Sequence, residues 1–513
     1  MNENSRTAKA LRNSVVTMAC ELINLILIFI CRTIFTRMLG AEYLGVSGLF
    51  TNILTILSFA EMGIGSALVY RMYAPLASGD KDKVRQYMLL YRRIYTVIIG
   101  IIVVLGLTLI PFLGCLVEAP DVMEDITLLF CLFLLDTVIS YVLVYKKSLL
   151  IADQNDYIVS MFTQAFNILM NIMQCVLLVL THNFVLYCIT RSACNLLNNI
   201  VCSWYASRKY PFLQEPTQGK LSKEEIKGLK TDVKGLMLTK VASTAFSGTD
   251  NLFISVFIGI RYVGILSNYT LILSAINSVM NKIFNSVTAS IGNLAVSGDK
   301  KQTEIVLKRM FFLNTSLYGY LCLGMLLLIK EFVTSIWLSA EYELPQMLVT
   351  LVVIELFLRS IHYPLYTTRN AMGFFSQYRI LFMAAAFLNL ILDYMLVKPL
   401  GMSGLFFATI LCRGITYMVD IYTVYHIGFG KSIANYMWLL FKWFVFLAVC
   451  GSGASLLLQL IPWIGILGFV LKIVAITVIY VLMYLLVFAR CEEFCYFKHL
   501  LGKLRHRKGG VAK

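Results

Sequence analysis

The sequence predicts an all-α integral membrane protein with about fourteen transmembrane helices, built as two six-helix lobes related by an internal repeat plus two additional C-terminal helices. Three observations predict it. Hydrophobic residues make up 59% of the 513 positions against 14% charged. The apolar residues fall into runs long enough to cross a bilayer. The two halves also match each other without a gap.

Composition sets the solvent. A mean hydropathy of +0.78 leaves more apolar surface than a water-soluble fold of this length buries. The formal charge of +16 is spread over short loops and the tail, so it reads as a topology signal, and no nucleic-acid partner is expected. The 13 cysteines lie mostly inside apolar runs, as Cys20, Cys31, Cys131 and Cys450 do, which suits small buried hydrophobes. Cys491, Cys495 and His499 follow helical spacing but offer three metal ligands with no fourth, so no metal or other cofactor is expected.

Spans are read at about 15–35, 43–69, 94–117, 122–145, 157–180, 183–205, 236–259 and 263–290, then 310–329, 346–368, 378–397, 402–426, 436–460 and 464–489. The first run is too long for a signal-peptide core and leads straight into the second. With the amino terminus in the cytoplasm, about thirty Lys and Arg lie inside, among them Arg71, Lys81, Arg92, Lys146, Lys209, Lys300 and the Arg505 to Lys508 tail. The opposite loops carry acids, Glu118, Asp121, Glu124, Glu341 and Glu343. Both termini are therefore expected on the cytoplasmic side.

The stretch 206–235, with Pro211, Pro216 and Gly219, reads as a cytoplasmic linker. Sliding the chain by 219 positions lays Gly40, Tyr43, Gly45, Thr51, Ile53 and Leu54 on Gly259, Tyr262, Gly264, Thr270, Ile272 and Leu273, and Ser78-Gly-Asp-Lys81 on Ser297-Gly-Asp-Lys300. Spans 1 and 2 thus map onto spans 7 and 8, and a six-span unit keeps its orientation on repetition. The division is 1–205 for the N-terminal lobe, 206–235 for the linker, 236–430 for the C-terminal lobe, 431–489 for spans 13 and 14, and 490–513 for a basic tail.

Ionisable and amide side chains are costly inside spans, so they should face a cavity or a partner helix. They form helical stripes: Glu21, Asn24 and Arg32 in span 1; Gln164, Asn167, Asn171 and Gln174 in span 5; Arg191, Asn195, Asn198 and Cys202 in span 6. Span 7 carries Lys240, Ser243, Ser247 and Asp250, and span 8 Ser274, Asn277, Asn281 and Asn285. Span 10 has Glu355, Arg359 and His362, and span 12 has Arg413, Thr416 and Asp420. The amides serve equally as glue between helices or as cavity lining. Glu355 and Arg359 can neutralise each other at i, i+4. Arg32, Arg191 and Arg413 have no partner in their own spans, and Asp136 and Asp250 are the acids placed to serve from another helix. His182, His362 and His426 read as structural. Spans 13 and 14 carry no stripe, only Lys472 between Trp443 and Phe488, and are expected to face lipid or a partner protein.

A cavity bearing Arg32, Arg191, Arg359 and Arg413 suits an anionic, hydroxyl-rich cargo, because guanidinium groups fork onto phosphate oxygens and amides match sugar hydroxyls. Glu21, Asn24, Asn167, Asn171, Lys240, Asp250, Asn277, Asn281 and Glu355 are candidates for cavity contacts or coupling. A cation-coupled exporter of small organic molecules is the alternative on the same plan. A membrane enzyme is disfavoured, since no long extramembrane loop, metal cluster or nucleophile, base and orienter set is present.

Arg37-Met-Leu-Gly-Ala-Glu-Tyr-Leu-Gly45, Ala60-Glu-Met-Gly-Ile-Gly65, Ser78-Gly-Asp-Lys81, Asp250 ahead of Ile258-Gly-Ile-Arg-Tyr-Val-Gly264, and Asn389 to Gly404 occur in an order that resembles the multidrug/oligosaccharidyl-lipid/polysaccharide (MOP) exporter superfamily. The polysaccharide branch, the Wzx-type flippases of O-antigen and capsule synthesis, is the nearest in pattern. The resemblance implies alternating access in the bacterial cytoplasmic membrane, with an undecaprenyl-pyrophosphate-linked oligosaccharide as cargo for surface polysaccharide. It brings glycosyltransferases and a polysaccharide polymerase in as candidate partners beside the bilayer itself. Drug-exporting relatives use an acid in span 1 or 7 for a coupling ion, Na+ or H+; Glu21 and Asp250 occupy those helices without a clear motif match. The lipid II flippase branch resembles the chain as well, in its cationic first span.

Overall fold

The structure, a computed structural model, describes residues 23–499 apart from 62, 118–121, 217–218, 220, 248, 297–299 and 464. It is all helical, with no strand among the described residues. The elements are α1 (Ile23–Leu39), α2 (Ala41–Leu57), α3 (Ile64–Ser78), α4 (Lys81–Leu109), α5 (Leu113–Leu116), α6 (Ile126–Tyr141), α7 (Val144–Ala152), α8 (Asp156–Thr181), α9 (Phe184–Lys209), α10 (Lys223–Ser247), α11 (Asp250–Phe257), α12 (Ile260–Val296), α13 (Lys300–Glu331), α14 (Gln346–Ala371), α15 (Phe375–Leu400), α16 (Met402–Ile421), α17 (Ala434–Gln459) and α18 (Ile466–Phe488).

Among the described residues nine helices are long and apolar enough to cross a bilayer, or eleven when each of two bent pairs is taken as one span. The fourteen spans read from the sequence are therefore not all matched by length and apolarity. Helix α9 has 26 residues but gives up apolarity to Arg191, Asn195, Asn198 and Asn199. Helix α10 begins in the charged linker, and span 2 is interrupted between α2 and α3 by a short 3-10 turn, Ser58–Glu61.

The chain packs as two compact units, Met1–Ser267 and Asn268–Lys513. This boundary lies inside α12, whereas the division expected from the repeat falls at the 206–235 linker.

In the first unit the repeat is visible in backbone geometry. Gly40 and Gly259, equivalent across the 219-residue offset, both have positive φ, 89° and 132°, a conformation that glycine adopts without steric cost. At Gly40 the axes of α1 and α2 differ by 120°. At the end of α3, Gly79 is also left-handed and Asp80 caps α4, its side chain accepting the Lys83 N–H at 3.0 Å. The matching tetrapeptide begins at 297–299, outside the described residues.

The linker is fastened to α3 and to the first turns of α4. Arg71 pairs with Asp232 at 2.6 Å, Lys83 with Glu225 at 2.6 Å and Arg85 with Glu215 at 2.7 Å. The Lys83 ammonium holds the Glu225 carboxyl below the ordinary carboxylate range, helped by the Ser222 N–H and hydroxyl.

In the second unit, α17 and α18 do not stand apart. Lys472 of α18 grips both carboxylate oxygens of Glu331 at 2.8 Å. Tyr480 donates to the Ser316 carbonyl at 2.7 Å, and Tyr320 meets Thr477 at 2.7 Å. Trp443, 1% exposed, stacks on Phe488 with centroids 4.3 Å apart and meets Phe312 edge-on. The two helices thus present one face to α13, while Leu456, Leu482 and Leu486 on other faces remain exposed. Trp443→Ala leaves a cavity at that seam, and a loss of about 3 kcal/mol is expected. It is measured as thermal unfolding of the purified protein in detergent, with Trp443→Phe losing less.

Candidate functional site

Each unit carries its own charged groups. Arg32 lies on α1, about two turns before its end, and its Nη1 donates to Ser267 Oγ at 3.0 Å. The Ser267 hydroxyl donates a hydrogen bond to the Gly264 carbonyl at 2.7 Å, so it meets Arg32 as an acceptor. Among the described residues no carboxylate pairs with Arg32. Nearby, Asn171 donates to Asn24 at 3.2 Å, joining α8 to α1, and Cys31 reaches the Asn171 carbonyl at 3.7 Å. Asn167 is half-buried on the same helix.

Arg191 is different. Its Nε pairs with Asp136 at 2.8 Å, and Asn195, one turn along α9, donates to the other oxygen of the same carboxylate at 2.7 Å. Asp136, named from the sequence as an acid placed to serve from another helix, is the counter-ion. The guanidinium also lies over the Phe133 ring at 5.6 Å.

In the second unit, Glu355 serves two arginines. Arg413 approaches it at 2.8 Å and Arg359, its own i+4 neighbour, only at 3.8 Å. Arg413 is the more buried, with 17% of its side chain exposed against 45% for Arg359. The three groups carry one net positive charge, with its open end at Arg359.

The remaining candidates are dispersed. Asn277 accepts a hydrogen bond from Tyr318 at 2.8 Å, which makes it a helix contact. Asn281 is exposed and Asp250, at the start of α11, is half-buried. Glu21 and the side chain of Lys240 lie outside the described residues.

Two clusters in the second unit were absent from the site expected from sequence. Asp420, fully buried, receives Arg369 at 2.6 Å and His362 at 2.6 Å, while Arg369 also donates to Asn370 at 2.9 Å. His362 is thus tied to the neighbouring helix α16 through Asp420. The other cluster is Asn389, Asp393 and Thr409: the Asn389 amide donates to Asp393 and to Thr409, both at 3.3 Å, with Asn389 and Asp393 fully buried. The i, i+4 spacing of Asn389 and Asp393 inside an apolar span was the available signal. Polar sets of this kind join helices.

The fold is that of a multi-pass helical transporter of the MOP type. It aligns with the lipid II flippase MurJ in an inward closed conformation at a TM-score of 0.69 and 14% identity, over 93% of this chain and 99% of that one. An inward-facing multidrug resistance MATE family transporter of the MOP superfamily aligns at 0.61 and 13%, over 79% and 96%. The Vibrio cholerae MATE transporter VcmN in its bent form aligns at 0.50 and 16%, over 81% and 95%. At these identities the likeness is one of fold. Residues 10–289 match the family described as polysaccharide biosynthesis protein, and the chain belongs to that family, within the MOP superfamily of exporters. No curated protein matches the sequence.

Proposed function

We propose that the protein carries a polyprenyl-pyrophosphate-linked oligosaccharide from the inner to the outer leaflet of the bacterial cytoplasmic membrane, for assembly into surface polysaccharide. The observation that carries this reading is that a chain of the polysaccharide biosynthesis family keeps Arg32, within its first span, on a neutral hydroxyl acceptor. A guanidinium at that depth is costly, and an anionic headgroup offers it the bidentate partner that Ser267 does not.

Two cations are able to take phosphate, Arg32 on α1 and the half-exposed Arg359 on α14. Arg191 and Arg413, each held at 2.8 Å by an acid, act as secondary contacts and keep their helices in place. Amides such as Asn24 and Asn171 meet sugar hydroxyls. The prenyl chain stays in lipid, and rocking of the two repeats alternates access. The pyrophosphate crosses by exchanging one charged contact for another and never enters bare hydrocarbon, where unsatisfied charge sets the barrier. No bond is made or broken.

Deletion of the gene, with complementation, tests this. Loss of surface glycan and accumulation of its lipid-linked precursor on the inner leaflet is the expected result. Intact surface glycan with raised susceptibility to organic cations would replace the proposal with small-molecule export. Failure of peptidoglycan synthesis would replace it with lipid II as the cargo.

A further inference from the structure

Helix α14 carries a proline in its interior, Pro364. Proline has no N–H, so the carbonyl one turn back, that of Ser360, loses its helical donor. Asn314 of α13, 1% exposed, takes that place, its amide donating to the Ser360 carbonyl at 2.5 Å. The Tyr417 hydroxyl of α16 donates to the next carbonyl, Ile361, at 3.4 Å. Interior prolines are where transmembrane and soluble helices bend, and here side chains of two neighbouring helices hold the point. The Asp420 carboxylate straddles it. His362 stands two residues before Pro364 and Arg369 five after; Asp420 meets the first through Oδ2 and the second through Oδ1, each at 2.6 Å. A bend at Pro364 displaces Arg369 relative to His362, so the two cannot both keep their hold on one carboxylate.

We infer that His362, Asp420 and Arg369 form a proton-binding site, at which bending of α14 exchanges the guanidinium for a proton on the imidazole. With Arg369 in place the carboxylate is ionised, so His362 Nε2 carries the hydrogen of the bond to Asp420 and Nδ1 is the nitrogen left to take a proton. Guanidinium, carboxylate and neutral imidazole then sum to no net charge, as a set buried in a bilayer requires. When Arg369 is withdrawn, a buried carboxylate without its cation is costly. A proton taken from water onto Nδ1 makes the imidazolium that replaces it. When Arg369 returns, that proton leaves Nδ1 for water, and no other bond is made or broken. The ring is faced from α16 by Asp420, by Tyr417 at a centroid distance of 4.9 Å and by Arg413, itself held by Glu355. Tyr436 of α17 lies behind Tyr417, bonded to it at 2.9 Å and in ring contact with Tyr425, and α13 presents Asn314, which does not titrate. On α14, Glu355 and His362 lie before the proline and Arg369 beyond it, so the bend changes the charge at Asp420 by moving Arg369. The inference rests on the transport reading above and supplies it with a driving ion.

Two experiments test it. The first needs no cargo. The purified full-length protein is labelled with nitrogen-15 at its 5 histidines, and the ring of His362 is assigned by magnetic resonance from the signal that His362→Gln lacks. At about pH 7.5 a neutral ring is expected in the wild type and an imidazolium in Arg369→Gln. A ring that stays neutral in Arg369→Gln would overturn the inference, as would an imidazolium already present in the wild type. The second places the protein in vesicles with a polyprenyl-pyrophosphate oligosaccharide, the electrical potential clamped at zero. A difference of one pH unit is expected to shift the distribution of the sugar between leaflets by up to about tenfold, the factor for one proton exchanged per cargo. His362→Gln keeps a donor for Asp420 and cannot take the proton, so its distribution is expected to be the same with and without the gradient. Ratios are compared, and a slower variant still decides. Cargo that crosses with no response to the gradient in the wild type, or with the same response in His362→Gln, would reject the proton site and leave the transport reading standing. Cargo that never crosses, beside an imidazolium in Arg369→Gln, would retain the proton site and reject the cargo. Should Arg369→Gln fail to accumulate, the vesicle distributions decide.

Discussion

Arg32→Ala is expected to reduce glycan export about 10- to 100-fold at unchanged protein level. A hydrogen bond to a charged group contributes about 1.5–3 kcal/mol, and each 1.4 kcal/mol is a factor of about ten. Among the described residues Arg32 has a hydroxyl acceptor to leave and no carboxylate, so most of its interaction with phosphate is available to lower the barrier. Arg32→Lys should recover part of the rate, since it keeps the charge and loses the fork. Arg191→Ala should differ in kind. Its guanidinium already neutralises Asp136, so its removal leaves a buried carboxylate held by Asn195 alone among the groups described above. The protein level should fall along with export, and Asp136→Asn combined with Arg191→Ala should recover level before activity. Export is measured as surface polysaccharide per copy of the protein. Full activity in Arg32→Ala would remove the cationic-site account.

The second large effect is on stability. Asp420→Asn is expected to destabilise the protein by about 3–5 kcal/mol, the range for breaking a buried ion pair by removing the charge of one partner. Asp420 is 0% exposed and Arg369 2%, and the carboxylate takes Arg369 on one oxygen and His362 on the other. Asparagine preserves the shape and the bond to a neutral imidazole but not the ionic bond to Arg369. Replacing both members of the pair, as Asp420→Leu with Arg369→Met, should recover most of the loss, because two desolvation penalties disappear together. Thermal unfolding in detergent reads both. An unchanged unfolding temperature in Asp420→Asn would show that the pair contributes nothing to the fold.

The fold class was legible because hydropathy, charge placement and self-similarity are all written along the chain. So was part of the packing around the candidate residues. The spacing of Arg191, Asn195 and Asn198 marked one face of α9, and Asp136 was identifiable as an acid on another span. What the sequence withheld was which faces meet. Glu355 looked like the partner of Arg359 because they are four residues apart, yet Arg413, from another helix, takes the closer position. Ser267 gives no signal in the sequence, because a serine in a span carries little cost. Arg369 is masked for a different reason: near the end of its span, an arginine reads as a topology charge. Spans 13 and 14 looked like lipid-facing additions because uniformly apolar helices give no periodicity. Their seam with α13 is made by Tyr480, Thr477 and Trp443, which hydropathy does not separate from their neighbours.

The central claim is translocation of an anionic lipid-linked glycan without chemistry. It is tested most directly by reconstituting the purified protein into vesicles with a defined polyprenyl-pyrophosphate oligosaccharide in one leaflet, and following the accessibility of the sugar to a glycan-degrading enzyme added outside. The account predicts that the sugar changes leaflet, that its mass is unchanged, and that Arg32→Ala vesicles are slower by the factor given above. A sugar that stays in its leaflet with active protein present, or one that emerges with altered covalent structure, would contradict it.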